Sequence, residues 1–345
     1  MFNLPNKNTG DNLITIGLHV DDLLVSAVDE KLLDWLHNKL VDKYGEVTYN
    51  KSNKLRYLGI NITIKDNNTI ELDCEDSFEE MMRECQIDKK ATTPAGKNLF
   101  LVSRKGEELS QEKKREFLSR IMKIQYYAKK VRMDLLTTLA YLRTRVTTAT
   151  TDDWKKLQRL LYYINGTIKN KLVFRKSGCL TPEVSVDTSH GIHMDRKGQT
   201  GLIARLGNNT IYAISNKQSL VTRSSFECEL VGLGTASQWV RWSRNFLINQ
   251  RIITDKQSIR IWQDNQSTIL AALKGNSYNR RTKHIDIRYF EIKELVDLGY
   301  IDIKYKRTRD MLADIFTKAL QGNLFRVIGN IILRGYEVTG KTEVK

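Results

Sequence analysis

Hydrophobic and polar positions alternate at two-residue spacing near the start of the chain. In residues 14–27 this alternation flanks the acidic pair Asp21 and Asp22, which predicts a strand, a turn and a second strand. Leucines then recur at helical spacing through residues 29–45, and Gly45 is typical of a helix C-terminus. This part of the chain therefore predicts a hairpin followed by a helix.

The next segment repeats the same two signals. Residues 55–74 alternate around the Asn-Asn pair at 67–68 and predict another hairpin. Residues 76–87 predict a helix with Asp76 or Ser77 as its N-cap. The two predictions together indicate a small α/β unit.

Residues 96–175 differ in character, because long helical periodicity replaces the strand signals. The last predicted helix of this stretch has an apolar stripe formed by Trp154, Leu157, Leu160, Leu161 and Ile164. We expect an all-helical connector without an active site. Three tyrosines, Tyr126, Tyr127 and Tyr141, are expected in its core.

Strand signals return from about residue 180. The order is three strands, a long helix, a strand, a helix, a strand and a last helix that opens near residue 310. This order indicates a mixed α/β layer fold. Trp239 and Trp242 lie three residues apart on the long helix, which favours packing on the sheet over a stacking platform for bases.

The amino-acid composition indicates which kind of binding partner the chain is expected to have. The 345 residues carry a formal net charge of +16, which favours a polyanion such as nucleic acid. No apolar run approaches the roughly 20 residues of a membrane span, and the N-terminus lacks a secretory layout. The cysteines are scattered without metal-ligand spacing, which indicates reduced thiols of an intracellular protein; they are Cys74, Cys85, Cys179 and Cys228.

Four acidic residues stand in distinctive settings: Asp187, Glu229, Asp264 and Asp314. The first lies on a predicted strand, the second in the first turns of the long helix, and the third at a strand end; the fourth begins the last helix. Carboxylates that converge from separate elements can hold two divalent cations for phosphodiester hydrolysis. Hard cations such as Mg²⁺ prefer these oxygen ligands, with Mn²⁺ as an alternative ion. Taken singly, each acid is more often a cap or a solvated group.

Several segments around these acids resemble one known family. SSFECEL (224–230), DNQSTILAA (264–272), RTKHIDIRYF (281–290) and LADIFTKAL (312–320) are similar to the RNase H domain of copia-type LTR retrotransposon polyproteins. HVDDLLV (19–25), LRYLGINI (55–62) and WKKLQRLLYYINGT (154–167) resemble the reverse transcriptase of the same family.

The resemblance implies an α/β fold in three parts. Residues 1–95 would be the end of a truncated reverse transcriptase palm and the start of its thumb, and residues 96–178 a helical thumb and connection. Residues 179–322 would form an RNase H-like mixed five-stranded sheet with flanking helices, and residues 323–345 a C-terminal tail.

By the same resemblance the four acids carry over as the metal-binding catalytic residues of a ribonuclease H, with two Mg²⁺ ions. Glu229, and not Glu227, matches the catalytic glutamate, and Glu227 is expected to point elsewhere. The implied substrate is the RNA strand of an RNA–DNA hybrid. Other Pol-derived chains are implied as further partners, and a cytoplasmic virus-like particle or the nucleus as the location.

The implied polymerase part is incomplete. Asp21 and Asp22 match the acidic pair of the palm, but His19 stands where the family usually has tyrosine. Too little chain precedes them for the further palm aspartate and the fingers. We therefore expect this chain to be a fragment, a truncated gene model or a decayed copy that does not polymerise DNA alone.

A second departure concerns the loop before the last aspartate. Cellular RNase H proteins carry a histidine there, whereas residues 305–314 contain none. Arg307, Arg309 or water would then serve in proton transfer or product release.

Substrate contacts are expected around Asp264. Asn265, Gln266 and Ser267 follow it at a predicted helix N-terminus, where free N–H groups suit a phosphate and polar side chains suit a 2′-hydroxyl. Further candidates for nucleic-acid binding are Arg281, Lys283 and His284. Solvated helix caps, or for His284 a packed helix start, are equally good interpretations.

Two other functions compete with the nuclease. One is a catalytically decayed remnant that binds nucleic acid by charge alone. The other is an integrase, which has a glutamate as its last acid; here the glutamate is second, so this interpretation is disfavoured.

Overall fold

The computed structural model describes residues 2–5, 13–103, 106–177, 180–274 and 283–335; for residues 2–5, 13 and 283–289 only the backbone is considered. Within these ranges every helix is too short or too polar to span a membrane.

The first sheet is the predicted hairpin with one more strand at its edge. Strands β1 (Phe2–Pro5), β2 (Leu13–His19) and β3 (Asp22–Ala27) pair in that order, and both pairings are antiparallel. Helix α1 (Glu30–Tyr44) packs Leu36 on this hairpin, where Ile14 and Ile16 are buried. Its C-cap Gly45 has φ 84°, a value that glycine adopts without strain. The predicted strand–turn–strand and helix are confirmed.

The second sheet confirms one prediction and corrects another. Its strands follow the order β4 (Lys54–Tyr57), β5 (Ile60–Lys65), β6 (Thr69–Asp73) and β7 (Leu172–Arg175). The hairpin around residues 67–68 is confirmed as β5–β6. Strand β7 lies inside the stretch predicted to be all-helical, because four residues are too few to give a periodic signal.

Helix α2 follows this sheet and begins earlier than predicted. It spans Glu75–Glu84, and its N-cap is Cys74, which makes no side-chain capping bond. The proposed caps Asp76 and Ser77 therefore lie inside the helix, and the capping prediction is wrong. The acidic residues of the first turn instead stabilise the start of the helix, because negative charge interacts favourably with the N-terminal end of the helix dipole.

The helical connection consists of α3 (Gln111–Ala128), α4 (Leu136–Thr144) and α5 (Thr151–Gly166). A capping box between Thr150 and Asp153 starts α5. Most of the predicted stripe on α5 is fully buried. Tyr141 is buried as predicted, but the Tyr126 side chain is 43% exposed and its hydroxyl donates to the Leu58 carbonyl.

The third sheet has the predicted five strands in the order β10 (Asn209–Lys217), β9 (Gln199–Leu206), β8 (Pro182–Ser189), β11 (Ile259–Gln263) and β12 (Ile301–Tyr305). The first three pair antiparallel, whereas β11 runs parallel to both β8 and β12. The mixed five-stranded sheet that the resemblance implies is therefore present.

Helices cover one face of this sheet. The long helix α6 (Ser225–Asn249) and α8 (Lys283–Asp297) pack on it, and α7 (Gln266–Lys274) lies beside them. Trp239 packs on this core and stacks on Tyr212, as predicted. Trp242 instead is 69% exposed, so its predicted burial is wrong. Three residues advance an α-helix by about 300°, so Trp242 lies about 60° around α6 from Trp239, at the margin of the sheet-facing stripe, where it stacks on Phe246.

The helical connection covers the opposite face. One continuous core joins Leu139 of α4 to Ile203 of β9 and Ala213 of β10. Phe316 belongs to the same core and lies on a short 3₁₀-helix, Leu312–Phe316. The last α-helix, α9 (Gly322–Arg334), begins later than the predicted opening near residue 310.

Candidate active site

Three of the four predicted carboxylates meet at one edge of the third sheet. Asp187 lies near the end of β8, and Asp264 directly follows β11, the parallel neighbour of β8. Parallel strands end at the same edge, so their terminal side chains are brought together. Glu229 approaches from α6, and one carboxyl oxygen of each residue lies within 4.8 Å of the other two. This geometry fits a divalent cation held by oxygen ligands.

A glycine allows Glu229 to reach the strand. A Cβ atom on Gly232 would lie 2.6 Å from Thr188 Cγ2 and 3.3 Å from Val186 Cγ2. The backbone of α6 therefore approaches β8 more closely than any other residue would permit. Glu227, two residues before Glu229, instead accepts a hydrogen bond from the Arg223 amide, away from the cluster as expected.

Asp314 is brought to the cluster by the 3₁₀-helix Leu312–Phe316, and not by the α-helix predicted from residue 310. This segment lies directly on β9, where a Cβ on Gly201 would meet Phe316 Cβ at 2.7 Å and the Ala313 carbonyl oxygen at 2.8 Å. Asp314 thus lies beside Asp187 and outside the three-carboxylate group.

Burial and mutual repulsion disfavour the charged carboxylates. Burial, followed by the negative charge of Asp314, raises the pKa of Asp187 to about 7. Burial and the charge of Asp187 raise the pKa of Glu229 to about 8. Burial also raises the pKa of Asp314. A divalent cation would offset these costs, which is the electrostatic setting expected of a metal site.

Lys318 is the cation that the chain itself provides. Its Nζ lies 2.9 Å from Asp314 Oδ1 and 3.7 Å from Asp187 Oδ2. Burial works against its charged form, but its pKa is raised because Asp187 and Asp314 are close. Sequence reasoning did not single out Lys318, although its spacing of four residues from Asp314 was a usable signal.

Neutral side chains orient the carboxylates through hydrogen bonds. The sequence analysis did not predict a role for these neutral side chains either. Gln263 is fully buried; its Nε2 donates to Glu229 Oε2 at 3.1 Å, and its Oε1 accepts from the Asp264 amide at 2.7 Å. Thr308 donates to Asp264 Oδ2 at 2.8 Å, and Thr317 donates to Asp187 Oδ2. A glutamine at an inward-facing strand position was the available signal for Gln263.

The predicted substrate contacts divide into three groups. Asn265 caps α7, because its Oδ1 accepts from the Thr268 amide at 3.0 Å. Gln266 and Ser267 are exposed in the first turn of α7, next to Asp264. Arg281 lies outside the described residues. Lys283 and His284 lie at the start of α8, in the part where only the backbone is considered.

The predicted polymerase pair lies elsewhere. Asp21 is in the turn between β2 and β3, and Asp22 pairs with His19 across the hairpin. Both aspartates are exposed. In the described ranges, the group of three carboxylates close enough for a cation is Asp187, Glu229 and Asp264. A role for the hairpin pair in nucleotidyl transfer stays a prediction.

Comparison with known proteins places the chain among transposon proteins. It is 24% identical over 329 residues to the retrovirus-related Pol polyprotein from transposon TNT 1-94 of Nicotiana tabacum, which covers 93% of this chain and 24% of the relative. It is 26% identical over 320 residues to the Pol polyprotein from transposon RE1 of Arabidopsis thaliana, covering 92% of this chain and 21% of the relative. The chain thus spans under a quarter of the length of these relatives. No family model matches it.

A solved structure agrees with the fold. The foamy viral protease-reverse transcriptase in complex with RNA/DNA hybrid superposes with a TM-score of 0.50 at 11% identity, over 87% of this chain and 36% of that one. The Ty1-ER2 Gag-Pol polyprotein of Saccharomyces cerevisiae (strain ATCC 204508 / S288c) is 22% identical over 92% of this chain and 19% of its own length. Over nine-tenths of its length, at low identity, the chain is therefore a relative of the Pol polyproteins of copia-type transposons.

Proposed function

We propose that this chain is a metal-dependent ribonuclease H that cleaves the RNA strand of RNA–DNA hybrids. The observation that carries the proposal is the meeting of Asp187, Glu229 and Asp264 within 4.8 Å, with Asp314 beside Asp187. Carboxylates buried together without a cation repel one another, so this arrangement is costly unless it serves a metal.

The donor set fits hard divalent cations. Among the described residues, the three that cluster within reach of one ion each offer a carboxylate oxygen, which suits Mg²⁺ and also Mn²⁺. Two such ions, when bound, would supply an activated water and charge stabilisation for the leaving oxygen of the phosphodiester. Asp187, Glu229 and Asp264 would hold one ion, and Asp187 with Asp314 would hold the other.

The neutral side chains around the carboxylates maintain this geometry. Gln263 fixes Glu229 relative to the β11 end, and Thr308 fixes Asp264. Thr317 holds one oxygen of Asp187. The Gln263 and Thr317 donors also lower the pKa of Glu229 and of Asp187, and so favour the ionised forms that bind a cation.

Groups that surround the carboxylates suit a nucleic-acid strand. Gln266 and Ser267 are exposed beside Asp264, where their polar atoms could bond a phosphate or a 2′-hydroxyl. Arg307 and Arg309 flank Thr308, and their side chains are 64% and 71% exposed. The net charge of +16 supports binding of a polyanion. The viral structural neighbour holds an RNA/DNA hybrid, which agrees with this substrate.

A cleavage assay tests the proposal directly. A hybrid labelled on its RNA strand is incubated with the full chain in Mg²⁺, and products are resolved with their ends identified. We expect internal cuts that leave 3′-hydroxyl and 5′-phosphate ends, and no cleavage in excess chelator. Asp264→Asn should reduce the rate by at least about a hundredfold, as loss of a group that acts on the reacting atoms does.

The matched control is Asp195→Asn, which changes an aspartate paired with Lys217 outside the carboxylate cluster. Its rate should equal that of the wild type. If wild type and Asp264→Asn show the same rate while both still bind the hybrid, the nuclease proposal fails. The chain would then be a remnant that only binds nucleic acid.

A further inference from the structure

Lys318 forms ion pairs with two of the four carboxylates of the candidate site. Its Nζ pairs with Asp314 at 2.9 Å and with Asp187 at 3.7 Å. Among the described residues, no basic side chain forms an ion pair with Glu229 or Asp264 within 4 Å. The ammonium therefore lies between Asp187 and Asp314, closer to Asp314, and within the three-carboxylate group it forms an ion pair with Asp187 and not with Glu229 or Asp264.

The backbone fixes this position. The Lys318 amide donates to the Asp314 carbonyl at 3.0 Å, a helical bond that sets the lysine one turn beyond the aspartate. The side chains of Asp187 and Asp314 are only 4% and 16% exposed, so little water is available to stabilise their charge. An ammonium ion is a compact positive charge that can replace this lost hydration.

The Lys318 side chain can also move away from the two carboxylates. Its side chain is 39% exposed, in contrast to the carboxylates that it contacts. Four rotatable bonds allow the ammonium to move into solvent without a change in the backbone. An ion bound between Asp187 and Asp314 would repel it and take its place.

We infer that Lys318 is an internal counterion that must be displaced before a second divalent cation can bind between Asp187 and Asp314. The first ion enters the group formed by Asp187, Glu229 and Asp264 with the lysine in place. The second ion competes with the ammonium and therefore binds more weakly. This inference rests on the two-ion site of the proposed function and assigns Lys318 as the residue that sets the order of loading.

Binding of Mn²⁺ alone, without substrate, tests the inference. The full chain is titrated and bound ion is counted by electron paramagnetic resonance or calorimetry. The wild type should show one tighter and one weaker site. In Lys318→Met, which keeps the length but removes the charge, the weaker site should tighten by at least about fivefold, since even a partly exposed ion pair opposes the ion. The tighter site should hardly change.

Thermal unfolding in chelator gives a second readout that does not depend on activity. Lys318→Met should melt below the wild type, because its buried carboxylates lose their counterion, and Mn²⁺ should raise its midpoint more than that of the wild type. Lys217→Met is the matched control, since Lys217 Nζ lies 2.7 Å from Asp195 outside the cluster. It should leave both binding constants unchanged. Lys318→Gln provides a second neutral variant if the methionine variant does not fold.

Two failures can be told apart. If the wild type binds no more Mn²⁺ than Asp187→Asn does, the two-ion site of the proposed function is wrong. If the wild type binds two ions but both neutral variants at position 318 bind them with unchanged constants and an unchanged rise in midpoint, the displacement inference is overturned.

Discussion

Thr137 on helix α4 of the connection donates a hydrogen bond to the carbonyl oxygen of Ile315, one residue beyond Asp314. Both partners are buried. The 3₁₀-helix that carries Asp314 is thus held from the sheet side by Gly201 and from the connection side by Thr137. The helical connection is therefore part of the structure that positions the candidate nuclease site.

Replacing this donor should weaken the site. Thr137→Val keeps the shape of the side chain but removes the hydroxyl, which leaves the Ile315 carbonyl without this partner. A buried hydrogen bond is worth about 1 kcal/mol, so we expect the hybrid-cleavage kcat to fall roughly fivefold. Thr144→Val, which removes a local bond to the Tyr141 carbonyl, should leave kcat unchanged. Equal effects of the two substitutions would show that the connection does not position Asp314.

The close approach of α6 to β8 predicts a second sensitive position. Gly232→Ala places a methyl group 2.6 Å from Thr188 Cγ2, so the helix and the strand must separate. Overpacking of this kind costs about 1–3 kcal/mol, and it moves Glu229 away from Asp187. We expect a lower free energy of unfolding, measured by denaturant titration, together with weaker Mn²⁺ binding.

A helical glycine in open space provides the control. Gly329 lies on α9, and a Cβ there would meet nothing within 4 Å. Gly329→Ala should raise the free energy of unfolding by up to about 1 kcal/mol through helix propensity. A Gly232→Ala variant that is as stable and binds Mn²⁺ as tightly as the wild type would contradict the role assigned to this glycine.

The raised pKa values predict how stability changes with pH in chelator. The pKa of Asp187 is about 7 when folded against 3.8 for the free group, and that of Glu229 is about 8 against 4.5. Between pH 4 and 8 the folded state therefore holds protons that the unfolded state has released. The free energy of unfolding should fall as pH rises through this window.

Single substitutions isolate this contribution. Asp187→Asn carries no charge, so in chelator it should be more stable than the wild type at pH 8, and the difference should shrink towards pH 5. Saturating Mg²⁺ should reverse the order at pH 8, because only the wild type retains the full ligand set. Asp195→Asn should instead be less stable than the wild type by an amount that hardly changes between pH 5 and pH 8. Burial opposes the charge of Asp195, but Lys217 lowers its pKa, so the group is ionised in both the folded and the unfolded state over this range. A pH-independent difference between wild type and Asp187→Asn would contradict the assigned shifts.

Much of the architecture was predictable because it follows local periodicity. The β2–β3 hairpin, α1, the buried stripe of α5 and the five-stranded sheet each repeat at spacings of two or three to four residues. Strand β7 and the 3₁₀-helix around Asp314 were not predictable in this way. Each is only four or five residues long, and each depends on partners far away in the chain.

The same distinction separates the residues of the candidate site that could be predicted from the sequence from those that could not. The four acids stood out because their residue types and flanking segments are unusual. Gln263, Thr308 and Lys318 did not, because their roles exist only once strand ends and a 3₁₀-helix meet. Gly201 and Gly232 carry no chemistry, and their function is visible only as the space that a Cβ atom would fill.

Two exposed arginines lead to the last prediction. Arg307 and Arg309 flank Thr308, whose hydroxyl contacts Asp264, and both pair loosely with Asp310 at 3.3 and 3.9 Å. Such exposed pairs contribute little to stability, so these guanidinium groups are free to bind phosphates. The double variant Arg307→Gln/Arg309→Gln should raise the KM for the hybrid and lower the salt dependence of binding by a slope of about 1–2. The rate of a single turnover with saturating hybrid should change less than about twofold.

The control is Arg326→Gln, which changes an exposed arginine on α9 and should alter none of these quantities. If the single-turnover rate instead falls as steeply as affinity, the arginines act in the cleavage step itself, in place of the histidine that residues 305–314 lack.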